Sequence, residues 1–116
     1  MGVALFFILY SMDCIFCQIS KGEIPAEIIY HDKLFVVFKD IKPKARLHFL
    51  IVPRRHIVSI NDLKLKDAML AGKMILLARK IARDQGVADS GYQLHFNVGR
   101  GAGQLVEHLH LHFMAA

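Results

Sequence analysis

The chain has 116 residues, 54% hydrophobic and 22% charged, which fits one globular domain with a modest core and excludes a disordered or fibrous chain. Its net charge of +5 with histidines neutral favours anionic ligands in general. The lysines and arginines are dispersed without a block of five or more, so the charge alone does not indicate nucleic acid.

Residues Val3 to Tyr10 form an almost unbroken apolar run. A bilayer span needs about 20 residues, so this run is too short to cross one. It also lacks the basic start and small-residue cleavage site of a signal peptide. We therefore expect residues 1–11 to be an apolar N-terminal extension and 12–116 a single domain. Cys14 and Cys17 are the only cysteines and stand at C-x-x-C spacing, which suits half of a zinc site or a redox dithiol. A redox motif should open a long helix. Here Lys21-Gly22-Glu23-Ile24-Pro25 breaks any helix after about two turns, which favours the metal reading.

Ala26–His31 and Leu34–Lys39, joined at Asp32-Lys33, read as a β-hairpin. Leu47–Pro53 reads as a third strand with His48, Leu50 and Val52 on one face. His48 alone reads equally as a buried structural histidine, and His56 as a solvated turn residue. Residues 63–85 carry apolar side chains at helical spacing, with Ser59, Asn61 and Asp62 as candidate caps and Gly86 as the stop. Met69 and Met74 read as core filler. Tyr92–Val98 reads as a fourth strand, with His95 and Asn97 opposite Leu94 and Phe96. Val106–Phe113 reads as a fifth. The order is that of an α+β fold, an antiparallel sheet with a helix on one face.

The fifth strand carries the chemistry. His108, His110 and His112 alternate with Leu109, Leu111 and Phe113, which is the period of a strand with a leucine face and a histidine face. Its outer histidines lie roughly 13 Å apart on a straight strand, too far for one ion. Such a row suits an extended anion, and imidazole can act as nucleophile, proton donor and anion ligand. Upstream, Asn97-Val98-Gly99-Arg100-Gly101-Ala102-Gly103-Gln104 reads as a glycine-rich loop whose amides could approach a phosphate.

The His-x-His-x-His row, the preceding Asn-x-Gly and Gly-Gln, Asp40-Ile41 and the His48-to-His56 segment together resemble the histidine-triad (HIT) family, closest to its Hint-like branch. The resemblance runs from Cys14 to Phe113. It implies a five-stranded antiparallel sheet with one long and one short N-terminal helix, paired into a homodimer. It implies a cytoplasmic hydrolase of purine nucleoside phosphoramidates or related adenylates, acting through a nucleotidyl-histidine intermediate. A dinucleoside polyphosphate hydrolase and a nucleotide-binding regulatory protein with little turnover are the alternatives. By the same resemblance His110 is the nucleophile and His112 the phosphate ligand. Asn97, Gly103, Gln104 and Leu105 surround the phosphate, Asp40 meets the ribose and Ile41 the base. Cys14, Cys17, His48 and His108 are implied as ligands of a structural zinc. No nucleic acid partner and no membrane span are expected.

Two positions depart from the branch. Leu105 stands where a residue able to hydrogen-bond the leaving group is common, and Glu107 where an aromatic is common. Glu107 also has the parity of the leucine face, where an unpaired carboxylate would be costly. The branch usually continues for several residues after Phe113, with a tail that helps shape the pocket, so selectivity stays open.

Overall fold

Period-two apolar patterns build the sheet, and a single 3.6-period stretch covers it. The computed structural model describes residues 14–116; the apolar run at 3–10 and the expected boundary after residue 11 lie outside the described residues. A short helix α1 (Ile15–Ser20) is followed by β1 (Ile28–His31), β2 (Phe35–Lys39) and β3 (Leu47–Pro53). Two 3-10 turns (Ile60–Asp62 and Leu65–Asp67) then lead into the long helix α2 (Ala68–Asp84). β4 (Gln93–His95), a 3-10 turn at Arg100–Ala102 and β5 (Leu111–Ala115) complete the chain. The five strands form one antiparallel sheet in the order β1-β2-β3-β5-β4, the α+β architecture expected.

The two faces of the sheet are buried by different helices. Phe35, Val37, Phe49, Ile51, Leu111 and Phe113 pack against Met74, Leu77, Ala78, Ile81 and Ala82 of α2. Each fully buried large side chain of this kind contributes about 1.5–3 kcal/mol. On the other face Val36, Phe38, Leu50 and Val52 pack against Phe16 of α1. The chemistry-bearing histidines lie on this second face, where, among the described residues, a helix of six residues provides the cover.

Three boundaries differ from expectation for local reasons. The long helix begins at Ala68 rather than Leu63. Ser59 Oγ accepts from the Asn61 amide at 3.1 Å and Asp67 Oδ2 from the Lys64 amide at 2.9 Å, so these polar side chains hold tight turns that delay α2. Gly86, at φ +74°, ends it as expected. Met69 on the first turn is 70% exposed and is not core, whereas Met74 is.

The fifth strand starts at Leu111, after two of the three histidines. The preceding segment leaves the sheet because its hydrogen bonds run to the loop after β3. The Leu109 amide donates to Ile57 O at 2.6 Å, and Gln104 Nε2 donates to Val58 O at 2.6 Å. β4 therefore runs out of partner at His95, which pairs with His112, and is shorter than its sequence pattern. Face alternation survives: Leu109, Leu111 and Phe113 belong to the α2-side core.

Candidate functional site

Beside α1 lies a cavity of about 390 Å³, lined by Phe16, Phe38, Asp40, Ile41, Leu105 and His110 among others. His110 is buried and its Nδ1 donates to the carbonyl of His108 at 2.7 Å. A carbonyl can only accept, so the proton of a neutral His110 is on Nδ1 and Nε2 carries the lone pair. Burial pushes the His110 pKa below the usual imidazole range, which keeps that lone pair available. The ring of Phe16 meets it edge-on at 5.1 Å.

His112 lies next to it, the two rings 5.0 Å apart. Burial, with His110, His95 and His48 close by, pushes its pKa down to about 4. His112 Nδ1 is 3.0 Å from His48 Nε2, and the Lys44 amide donates to His48 Nδ1 at 3.0 Å. His95 stacks on His112 with centroids 4.5 Å apart and planes 14° apart. Asp40 Oδ1 accepts from the Lys42 amide at 2.9 Å, and its other oxygen lies 3.4 Å from His48 Nε2. Ile41 and Leu105 are 89% and 90% exposed at the cavity rim, where an apolar ring could lie between them.

The glycine-rich loop differs from the expected cradle. The Gly103 amide donates to Arg100 O and the Gln104 amide to Gly99 O, both at 3.0 Å. The Gln104 side chain accepts from the Gly99 amide and donates to Val58 O and Val106 O. Asn97 Nδ2 donates to Ala102 O at 2.9 Å. These groups close the loop on itself, because a tight 3-10 turn consumes its own amides. Gly103, at φ +89°, makes the turn possible. Among the expected backbone donors only the Leu105 amide has no protein acceptor among the described residues. Glu107 is exposed and paired with Arg100 at 3.1 Å, so its carboxylate avoids the leucine core.

A second cluster lies on the far side of Phe16. His108 Nδ1 is 3.2 Å from Cys14 Sγ, 3.5 Å from Cys17 Sγ and 3.2 Å from His56 Nδ1. Cys17 Sγ is 3.4 Å from His56 Nδ1. Zinc–sulfur bonds of about 2.3 Å and zinc–nitrogen bonds of about 2.0–2.1 Å at tetrahedral angles put neighbouring donors roughly 3.3–3.8 Å apart. The four atoms thus have the spacing and donor set to hold a metal ion. His108 Nε2 donates to Pro53 O at 2.8 Å, which bares Nδ1 toward the thiols and orients the ring. Burial pushes His108 down to about 4, so it is neutral near pH 7. Burial and the adjacent Cys14 push the Cys17 thiol up to about 11, so an arriving cation must displace its proton.

His56, not His48, is therefore the histidine that joins Cys14, Cys17 and His108. His48 lies with Asp40 and His112 instead. The reason is direction: strand parity aims His48 at the face beside His112, while the turn after Pro53 carries His56 back over α1. Sequence reasoning assigned His56 to solvent and gave no role to His95. The first left a signal in its Pro53-x-x-His56 position directly after β3; the second left only its parity on a three-residue strand.

Residues 13–116 match the family model described as scavenger mRNA decapping enzyme C-terminal binding domain. The chain is 41% identical over 102 residues to a purine nucleoside phosphoramidase of Escherichia coli (strain K12), covering 88% of this chain and 86% of that one. It is 44% identical to protein HitA of Neisseria gonorrhoeae, covering 88% and 94%. A HIT family hydrolase from Legionella pneumophila Philadelphia 1 superposes with a TM-score of 0.88 at 43% identity, over 90% of this chain and 93% of that one. A Zn-bound histidine triad family protein from Mycobacterium smegmatis superposes with a TM-score of 0.76 at 35% identity, over 90% and 75%.

Proposed function

Given that the chain belongs to the histidine-triad family and is a hydrolase of that family, we propose that it cleaves purine nucleoside phosphoramidates at the α-phosphate through a nucleotidyl-histidine intermediate. The observation that carries this reading is the lone pair on His110 Nε2, held there by the Nδ1–H bond to the His108 carbonyl beside the cavity. In the first step Nε2 attacks the α-phosphorus, the phosphorus–nitrogen bond breaks and the amine leaves with a proton. In the second, water attacks the phosphorus, releasing the nucleoside monophosphate and freeing His110. His112 donates a hydrogen bond to a phosphate oxygen and the Leu105 amide donates to charge developing there. Asp40 takes the ribose hydroxyls, and the base lies between the exposed side chains of Ile41 and Leu105.

Leu105 has no group to protonate the leaving amine, so solvent supplies that proton and turnover is slow. This same residue favours the second reading, a nucleotide-binding protein with little turnover. Cys14, Cys17, His56 and His108 would hold a zinc ion, which would serve as a structural cross-link and not as a substrate ligand. Such an ion would join α1, and with it Phe16 of the cavity wall, to the sheet. The two thiols serve this role in a reducing compartment, which fits the cytoplasm. A homodimer is supported by the position of β4 at an edge of the sheet and by Ile75 and Leu76, 53% and 52% exposed on α2. Among the described residues no helix is long and apolar enough to cross a membrane.

The test is to incubate the protein with adenosine 5′-phosphoramidate and, separately, with a diadenosine polyphosphate, then quench and locate any adenylyl adduct. Hydrolysis of the amidate with an adduct on His110 is the expected result. Preference for the polyphosphate moves the protein to the other hydrolase class, tight AMP binding without turnover supports the regulatory reading, and an adduct on another residue removes the assignment of His110.

A further inference from the structure

Three imidazoles on three neighbouring strands meet beside the cavity: His48 of β3, His112 of β5 and His95 of β4. We propose that His48 and His95 are positioning residues for His112, the first fixing its tautomer and the second its ring plane, so that Nε2–H is the group offered to the substrate's phosphate. This rests on the reading of His112 as the phosphate ligand.

The tautomer follows from one backbone group. The Lys44 amide donates to His48 Nδ1 at 3.0 Å, so that nitrogen carries the lone pair. A neutral His48 then carries its proton on Nε2. That proton points to His112 Nδ1 at 3.0 Å, with Asp40 Oδ2 a longer second acceptor at 3.4 Å. The His48–Asp40 approach is consequently not an ion pair, since a charged His48 would place a proton on Nδ1 against the Lys44 amide. Nor is the group of Asp40, His48 and His112 a second metal site, because the His48 nitrogen facing it is already protonated. Accepting at Nδ1, a neutral His112 must be protonated at Nε2, the nitrogen that no protein group engages among the described residues.

A hydrogen bond through Nδ1 leaves the ring free to rotate about it. His95 removes that freedom. It pairs with His112 across the β4–β5 ladder, and its ring lies 4.5 Å from the His112 ring and nearly parallel to it. The buried ring of His110 stands at 62° and 5.0 Å on another side. His112 is thus clamped between one stacked and one crossed imidazole, with its tautomer set from β3. The complementarity matters for the two-step reaction: His110 is held as Nδ1–H with a bare Nε2, whereas His112 is held as Nε2–H with a bare Nδ1. Adjacent imidazoles are assigned opposite work by two different backbone groups, the His108 carbonyl and the Lys44 amide.

The experiment reads tautomers directly. Two-bond proton–nitrogen correlation spectra of the ¹⁵N-labelled full chain near neutral pH should show His48 and His112 as Nε2–H and His110 as Nδ1–H. In His48→Leu the His112 signals should move to a mixture of tautomers, and in His48→Gln, whose amide can accept from Lys44 and donate to His112, they should return. With adenosine 5′-phosphoramidate, His48→Leu and His95→Ala should each lower kcat roughly tenfold or more while KM stays within about twofold. His95→Phe, which keeps the stack, should recover most of that loss. The proposal is overturned by an Nδ1–H tautomer on wild-type His112, by an unchanged His112 tautomer in a folded His48→Leu, or by His95→Phe behaving as His95→Ala. If the wild type does not cleave the amidate at all, the reading of the reaction falls, while the spectra still decide the tautomers.

Discussion

The two histidine clusters use the same side chain in opposite electrical senses. Around Cys14, Cys17, His56 and His108, donor atoms with lone pairs point at one another from 3.2–3.5 Å. Thiol protons hold that arrangement together at neutral pH, and a cation would have to displace them. Around His48, His95, His110 and His112, each resolved contact pairs an N–H with an acceptor, and one ring nitrogen on His110 is left bare. The difference lies in the backbone. The Pro53 carbonyl takes the proton of His108 at Nε2 and turns its Nδ1 to the sulfurs. The His108 carbonyl takes the proton of His110 at Nδ1 and leaves the opposite nitrogen open. Two imidazoles two residues apart are distinguished by which nitrogen the main chain engages: it leaves Nδ1 of His108 and Nε2 of His110 bare.

The largest expected effect comes from removing the bare nitrogen. His110→Ala should reduce amidate hydrolysis by about three orders of magnitude or more, since among the described residues lining the cavity no second imidazole takes its place. AMP should still bind measurably by calorimetry, because Asp40, Ile41 and the Leu105 amide remain. Near-normal turnover in this variant would erase the contrast between the clusters.

The next effect separates the clusters by metal content. His56→Ala or Cys14→Ala should lower zinc in freshly purified protein well below stoichiometric, as measured by plasma emission. His48→Ala should keep its zinc. Chelation of the wild type should lower Tm by several degrees, as expected when metal binding adds to folding, before nucleotide binding is lost. Zinc lost from His48→Ala but kept in His56→Ala would return the ligand set to the one the family resemblance implied.

Much of this architecture was legible in the chain, and the parts that were not share a cause. The alternation from His108 to Phe113 announces two faces whether or not the segment is a strand, because period two needs only extended backbone. The α2 stripe and Gly86 announce the helix and its end. Ligand identity was harder, because it depends on where the turn after Pro53 travels, and a turn has no period to read. The glycine loop misled in a different way. Its amides look available in a sequence, but three residues of 3-10 helix are enough to use those of Gly103 and Gln104. His95 escaped notice because its meaning lies in its cross-strand partner, and register is a property of two strands.

The smallest expected effect tests whether the clusters are insulated from the rest of the sheet. At its far edge, Asp32 organises the β1–β2 turn. Its carboxylate accepts from the Leu34 amide at 2.7 Å, the Phe35 amide at 2.8 Å and Tyr30 Oη at 2.7 Å. Burial works to raise its pKa, but these three donors and nearby Arg54 outweigh it, so the folded-state value lies below the usual one. A carboxylate shifted down stabilises the fold fully above its unfolded pKa of about 3.9 and loses that contribution as pH falls through the folded value. Asp32→Asn keeps one acceptor and removes the titration. Above about pH 5 it should cost about 1 kcal/mol, or a few degrees in Tm. Acidification from about pH 4 to pH 2 should then destabilise the wild type more steeply than the variant, seen as converging thermal melts. Zinc content and the rate of amidate cleavage should stay at wild-type values throughout, measured at neutral pH. A loss of either would show that the β1–β2 turn supports the histidine face, and that the two clusters are not separate units on a common sheet.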